Sequence, residues 1–174
     1  LDCKYIRMFS FYLNGEKHDQ VRDEVIARLT ALLDLADAYG VVLCHENEAG
    51  IYGDTPETCL DLLKVFNGRL RCVFDMGNFV LDSYKPYPDA YMLLRDYIEY
   101  FHIKDSLYAG AIVPPGCGEA QIAEIIKAHN EFAKGDYYVT LEPHLQTFSG
   151  LNALVGKGFE NPYKYETQEL AFTD

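Results

Sequence analysis

The stretch that most constrains this chain is Val41-Val42-Leu43-Cys44-His45-Glu46-Asn47. Its branched apolar residues make a short buried strand, and the run breaks off in three polar side chains. A carboxylate at the tip of a buried strand is costly to keep there unless something neutralises it. Three later strand-like runs end in the same manner, at Asp75, His102 and Glu142. Taken singly, a strand-end acid is a solvated or capping residue and a strand histidine a structural one; taken together, the four point to a shared divalent metal.

The segments around these runs alternate strand with helix. Lys4 to Phe11 reads as a strand with Ile6 and Met8 on one face and Arg7 and Phe9 on the other. A helix follows, with an apolar stripe of Val21, Val25, Leu29, Leu33 and Ala36, and Gly40 ends it. After the Val41 strand, Thr55-Pro56-Glu57 is a helix start: a capping hydroxyl, proline in the first turn and an acid near the positive dipole end. That helix is expected to run to Gly68. Arg71 to Asp75 is a strand, expected to break at Met76-Gly77-Asn78. A short helix over about Asp89 to Asp96 precedes a strand within Tyr97 to Asp105. The Pro- and Gly-rich loop from Val113 to Gly118 leads into a helix from about Glu119 to Lys134. Tyr137 to Glu142 is the last strand, closed by Pro143, and loop is expected beyond Gln146. Parallel strands need crossover helices, so five strands with four crossovers predict an α/β fold with a parallel sheet. No GxGxxG or Walker loop follows a strand.

Side-chain parity places the acids. Val42-Cys44-Glu46 and Tyr138-Thr140-Glu142 each put the carboxylate on the face with small or polar neighbours, while Val41-Leu43 and Val139-Leu141 make the greasy face that helices would cover. Glu46 and Glu142 are thus expected to point inward, toward a common axis, and polar residues at the C-terminal ends of strands mark the rim where a (β/α) barrel keeps its site. Three carboxylates and one imidazole suit Mn²⁺, Mg²⁺, Co²⁺ or Zn²⁺. Such an ion could polarise a sugar carbonyl, and two of the carboxylates could then move a proton off and on the adjacent carbon.

Composition narrows the partners. The chain has 174 residues and a formal net charge of −12, which argues against nucleic-acid or anionic-membrane partners and fits an enzyme acting on a small molecule. Five cysteines, none in CxxC spacing, read as reduced thiols of a cytoplasmic protein. No apolar run approaches the roughly 18 residues of a membrane span. The first residue is Leu, so the natural N-terminus is expected to lie upstream.

The motifs Cys44-His45-Glu46-Asn47, Ile51-Tyr52-Gly53-Asp54-Thr55, Phe74-Asp75-Met76-Gly77-Asn78-Phe79, His102-Ile103-Lys104-Asp105, Val113-Pro114-Pro115-Gly116-Cys117-Gly118 and Leu141-Glu142-Pro143-His144-Leu145 resemble, in order and placement, the xylose isomerase-like TIM barrel superfamily. This group includes sugar phosphate isomerases and epimerases and AP endonuclease family 2. The resemblance spans about residues 4 to 146. It implies a (β/α)8 barrel of which this chain supplies about the last five strands, as one partial-barrel domain over residues 1–174 with the first βα units and the final helix absent. It implies Glu46, Asp75, His102 and Glu142 as metal ligands, with Glu46 and Glu142 as the acid/base pair of a metal-dependent isomerase or epimerase acting on a carbohydrate. Asn78, standing where the ketose 3-epimerase branch often has histidine, together with Lys104, Asp105, His45, His144 and Arg7, are the expected substrate contacts. Alternatives are an inosose-type dehydratase or lyase on the same ligands, an AP-endonuclease-like phosphodiesterase, and an inactive fragment. Barrels typically need about 250 residues, and an open sheet leaves raw edges. Two copies packing edge to edge as a homodimer is the expected remedy.

Overall fold

The computed structural model describes residues 2–142, 144, 145, 163 and 165–173. The expected closure by Pro143 and the loop from Gln146 through residue 162 lie outside the described residues. In chain order the elements are β1 (Tyr5–Met8), α1 (His18–Tyr39), β2 (Val42–Glu46), α2 (Pro56–Phe66), β3 (Leu70–Asp75), α3 (Met76–Leu81), α4 (Tyr91–Leu94), β4 (Ile98–Ile103), β5 (Asp105–Ser106), β6 (Ile112–Val113), α5 (Ile122–Phe132), β7 (Tyr138–Leu141) and α6 (Gln168–Thr173). Strands β1, β2, β3, β4 and β7 form one parallel sheet in that order, so each strand lies beside the next one in sequence across a crossover. A separate antiparallel pair, β5 with β6, stands over the C-terminal end of the sheet.

Helices cover the outer face. From α1 come Val25, Leu29, Leu33 and Ala36, and from α2 Cys59, Leu62, Leu63 and Phe66; they pack on Leu43, Leu70, Cys72, Phe74, Phe101 and Ile103 in one core cluster. The Phe74 ring meets those of Phe79, Tyr91 and Phe101 at 5.2, 6.4 and 5.9 Å. Each such side chain, removed from water, contributes about 1.5–3 kcal/mol. The α1 helix ends at Gly40, whose φ of 67° is left-handed. Thr55 caps α2 by accepting from the Thr58 amide at 3.0 Å, and the helix stops at Asn67, one residue before the glycine expected to end it.

Several expectations are corrected. The strand breaks after Asp75 as expected, but Met76-Gly77-Asn78 opens a helix, α3, in place of loop, because the Asp75 carboxylate accepts from the Asn78 amide at 2.8 Å and caps it. The helix expected over Asp89 to Asp96 is regular only across Tyr91–Leu94, flanked by a wider turn at Pro86–Ala90 and a tighter one at Arg95–Tyr97. Helix α5 starts at Ile122 rather than Glu119, since Gln121 takes a left-handed φ of 55°, and ends at Phe132, with Ala133 extended. Val139 and Leu141 are 51% and 63% exposed instead of covered by helix. Their strand is the last of the sheet and pairs on one side alone among the described residues.

Candidate metal centre

Strand register assembles the site. Asp75 on β3 stands opposite His102 on β4, and Glu46 on β2 stands opposite Val73, two residues before Asp75 on the same face of β3. Glu142 follows β7 and extends the β4 pairing through its amide, which donates to the Ile103 carbonyl at 3.2 Å. Parity therefore turns all four side chains to the inner face. One ligand-type atom from each of Glu46, Asp75, His102 and Glu142 lies within 4.8 Å of the others. His102 Nδ1 is 2.7 Å from Glu46 Oε1, 2.5 Å from Glu142 Oε2 and 3.8 Å from Asp75 Oδ2.

The donor chemistry fits a divalent cation. Three buried carboxylate oxygens, Glu46 Oε2, Asp75 Oδ2 and Glu142 Oε2, accept no hydrogen bond of good geometry, although Arg7 Nε lies 3.2 Å from the first, Lys104 Nζ 3.0 Å from the second and His102 Nδ1 2.5 Å from the third. Orphaned buried oxygens are rare and call for a partner. Glu46, Asp75, His102 and Glu142 could hold Mn²⁺, Mg²⁺, Co²⁺ or Zn²⁺.

Burial and mutual charge set the proton positions. Burial pushes the Glu46 carboxyl up, and Asp75 and Glu142 add to this against the opposing bond from His102. Burial works in the same sense on Glu142, but bonds from His102 and His144 and the charge of Lys104 overcome it and hold that carboxyl well below the usual range. His102 is penalised by burial too, yet its bonds to Glu142 and Glu46 raise it to about 9. Desolvation also opposes the charge on Lys104, while Asp75 and Glu142 keep it raised.

The structure brings most of the expected contact residues to this centre. Lys104, 2% exposed, also donates to Asn78 Oδ1 at 3.0 Å. The Asn78 amide nitrogen donates to the Asn47 carbonyl at 2.8 Å. Asn47 clamps β2 to β3 by bonding both the amide and the carbonyl of Asp75, at 3.0 and 2.9 Å. His144 Nε2 lies 3.2 Å from Glu142 Oε1. Gly77 lets α3 approach Lys104, since a Cβ there would stand 2.7 Å from Lys104 Cγ and 2.9 Å from its carbonyl oxygen.

Two expected contacts are placed elsewhere. His45 is buried on the opposite face of β2, under the Gly53 loop, where a Cβ on Gly53 would meet its ring at 2.4 Å; burial lowers it to about 4. Asp105 spends both oxygens on backbone amides: Oδ1 accepts from Ser106 and Ala120 at 2.9 and 3.0 Å, and Oδ2 from Gly116 and Gly118 at 2.8 and 2.9 Å. It organises the loop after β6 and has no oxygen left for a substrate.

A cavity of about 240 Å³ adjoins the centre, lined in part by Asn78, Lys104, His144 and the turn Tyr108–Gly110. Its walls also carry Glu48 and Asp82, two residues the sequence reading passed over. The alternation that turns Glu46 inward was the available signal for Glu48; Asp82 gave none, because α3 was not foreseen.

Among the described residues no helix is long and apolar enough to cross a membrane. No curated protein gives a significant match. Solved structures do. A D-tagatose 3-epimerase-like protein superposes with a TM-score of 0.69 at 20% identity, over 82% of this chain and 57% of that one. The probable 3-DHS dehydratase AsbF of Bacillus anthracis gives 0.67 at 22%, over 80% and 57%. A xylose isomerase-like TIM barrel protein from Mycobacterium smegmatis, in complex with magnesium, gives 0.65 at 18%, over 82% and 55%. The chain thus spans little more than half the length of each, and its five parallel strands form part of their barrel. The family model for xylose isomerase-like TIM barrels matches residues 1–160, and with strand order and placement in agreement, the chain belongs to the xylose isomerase-like TIM barrel family.

Proposed function

We propose that this chain carries the metal centre and acid/base pair of an enzyme that isomerises or epimerises a ketose or related sugar by proton transfer beside a carbonyl. The observation that carries this reading is the convergence of Glu46, Asp75, His102 and Glu142, whose ligand-type atoms lie within 4.8 Å of one another. Resemblance in fold to a D-tagatose 3-epimerase-like protein supports it.

The ligands would be those four side chains, and a bound divalent cation would polarise the sugar carbonyl and acidify the neighbouring C–H. Glu46 and Glu142, on or just beyond the strands either side of Asp75 and His102, would form the pair that moves the proton off and on the neighbouring carbon. Lys104 holds Asp75 and Asn78 in place between the centre and the cavity. A dehydratase on the same residues is the second reading, favoured by the likeness to AsbF.

Elemental analysis of the purified chain is expected to find one divalent ion per chain; three zinc ions would point to a phosphodiesterase of the AP-endonuclease kind instead. Incubation of the metal-loaded protein with ketoses in D₂O should place deuterium on the carbon next to the carbonyl. Glu142→Gln should abolish that exchange, whereas undiminished exchange would remove Glu142 from the chemistry. Loss of water from the sugar would select the dehydratase.

A further inference from the structure

The cavity beside the centre has an uneven charge. Its described basic side chains are Lys104 and His144, and each already faces a carboxylate: Lys104 Nζ lies 3.0 Å from Asp75 Oδ2 and 3.8 Å from Glu142 Oε2, and His144 Nε2 lies 3.2 Å from Glu142 Oε1. Glu48 and Asp82 line the cavity beside Asn78, and the Asp82 amide donates to the Asn78 carbonyl at 3.0 Å. One Glu48 oxygen accepts from the Ala49 amide at 2.8 Å, and the other has only a long contact, 3.4 Å, with the Asn78 amide nitrogen. Asp82 follows the last residue of α3, at the helix end where carbonyls accumulate negative charge, and no basic residue occupies that last turn. Burial, together with Glu48 and Asp54, pushes the Asp82 carboxyl up to about 7; the lining there already strains to keep the negative charge it has.

A phosphate group entering here would need an uncommitted cation or a fan of N–H donors. Sugar hydroxyls, by contrast, donate readily to carboxylate oxygens. We propose that Glu48 and Asp82 are specificity-determining residues that reject phosphorylated sugars, so that the cavity takes the uncharged polyhydroxyl end of a free ketose. The proposal rests on the carbohydrate reading of the metal centre and narrows its substrate class.

The test is a titration of the Mg²⁺-loaded chain at pH 8, at fixed free Mg²⁺, with D-fructose and with D-fructose 6-phosphate, followed by ligand NMR. The phosphate ester should bind at least about tenfold more weakly, as like charges brought together in a pocket require. The isosteric variants Glu48→Gln and Asp82→Asn should each narrow the gap, and together close it. Equal or tighter binding of the phosphate by the unaltered chain would overturn the proposal. So would a gap that persists in variants that still bind Mg²⁺, because size and not charge would then explain it. If Mg²⁺ binds and neither sugar does, the carbohydrate reading itself falls and this one with it; if the sugars bind and their ratio ignores both substitutions, only the specificity claim is lost.

Discussion

Metal binding should compete with a proton on His102. That ring sits 2.7 Å from Glu46 Oε1 and 2.5 Å from Glu142 Oε2, and the two carboxylates raise it to about 9 against the penalty of burial. A metal ion binds only the neutral imidazole, so loading at neutral pH must expel this proton. The sign follows: protonated His102 disfavours the ion, so affinity rises with pH and levels off above the raised value. With a value of about 9, the apparent affinity at pH 7 should be about a hundredfold below its plateau, equivalent to about 2.7 kcal/mol. Between these limits the slope is about one decade per pH unit, steepening at lower pH as the raised Glu46 takes up a second proton. Calorimetric titration with Mn²⁺ in buffers of different ionisation enthalpy reads both quantities, and about one proton should be released per ion bound near pH 8. Affinity that stays flat from pH 7 to 9 without proton release would mean that His102 is neutral in the free protein, and the electrostatic account of the centre would be wrong.

Three further outcomes are expected. Gly77→Ala should lower stability by about 1–3 kcal/mol, read as a drop in Tm, because the new Cβ meets the Lys104 carbonyl at 2.9 Å; helix propensity alone would push the other way. Asp105→Ala strands the amides of Ser106, Gly116, Gly118 and Ala120 and should cost about 3–5 kcal/mol in chemical denaturation. Homodimerisation through the sheet edges is proposed from the exposure of Tyr138, Val139 and Leu141 on β7; light scattering should give twice the chain mass, and a stable compact monomer would count against it.

Much of the sheet was legible because strand ends carried the signal. An apolar run stopping at a carboxylate or imidazole is unusual enough to mark both the element and its polar tip, as at Glu46 and His102. Parity sorted inside from outside, and applied consistently it would also have turned His45 away from the site, since neighbours on a strand face opposite ways. The misses have local causes. Asp75 caps α3, a role that the reading of it as a candidate ligand hid. Strands β5 and β6 are two residues each, too short to show any alternation. The bonding of Asp105 joins amides up to 15 residues onward, which no local pattern reports. The exposure of Val139 and Leu141 depends on what packs over β7, and alternation within a strand is silent about that.

An open sheet can keep such a centre in order because its ligands come from adjacent strands. Glu46, Asp75, His102 and Glu142 sit on or just beyond β2, β3, β4 and β7, four successive neighbours in the sheet. Their spacing depends on register between neighbours and not on closure of a barrel. Beyond the last β2–β3 backbone pair, Asn47 continues the connection through its two bonds to Asp75. Asn78 then holds the Asn47 carbonyl, and Lys104 holds Asn78. This relay ties β2, α3 and the end of β4 together at the level of the ligands, where a two-bond side-chain clamp substitutes for ladder hydrogen bonds. Fixing ligands through such supporting bonds is what preorganises a metal site. The convergence of these four side chains is therefore a property of the strands and their register.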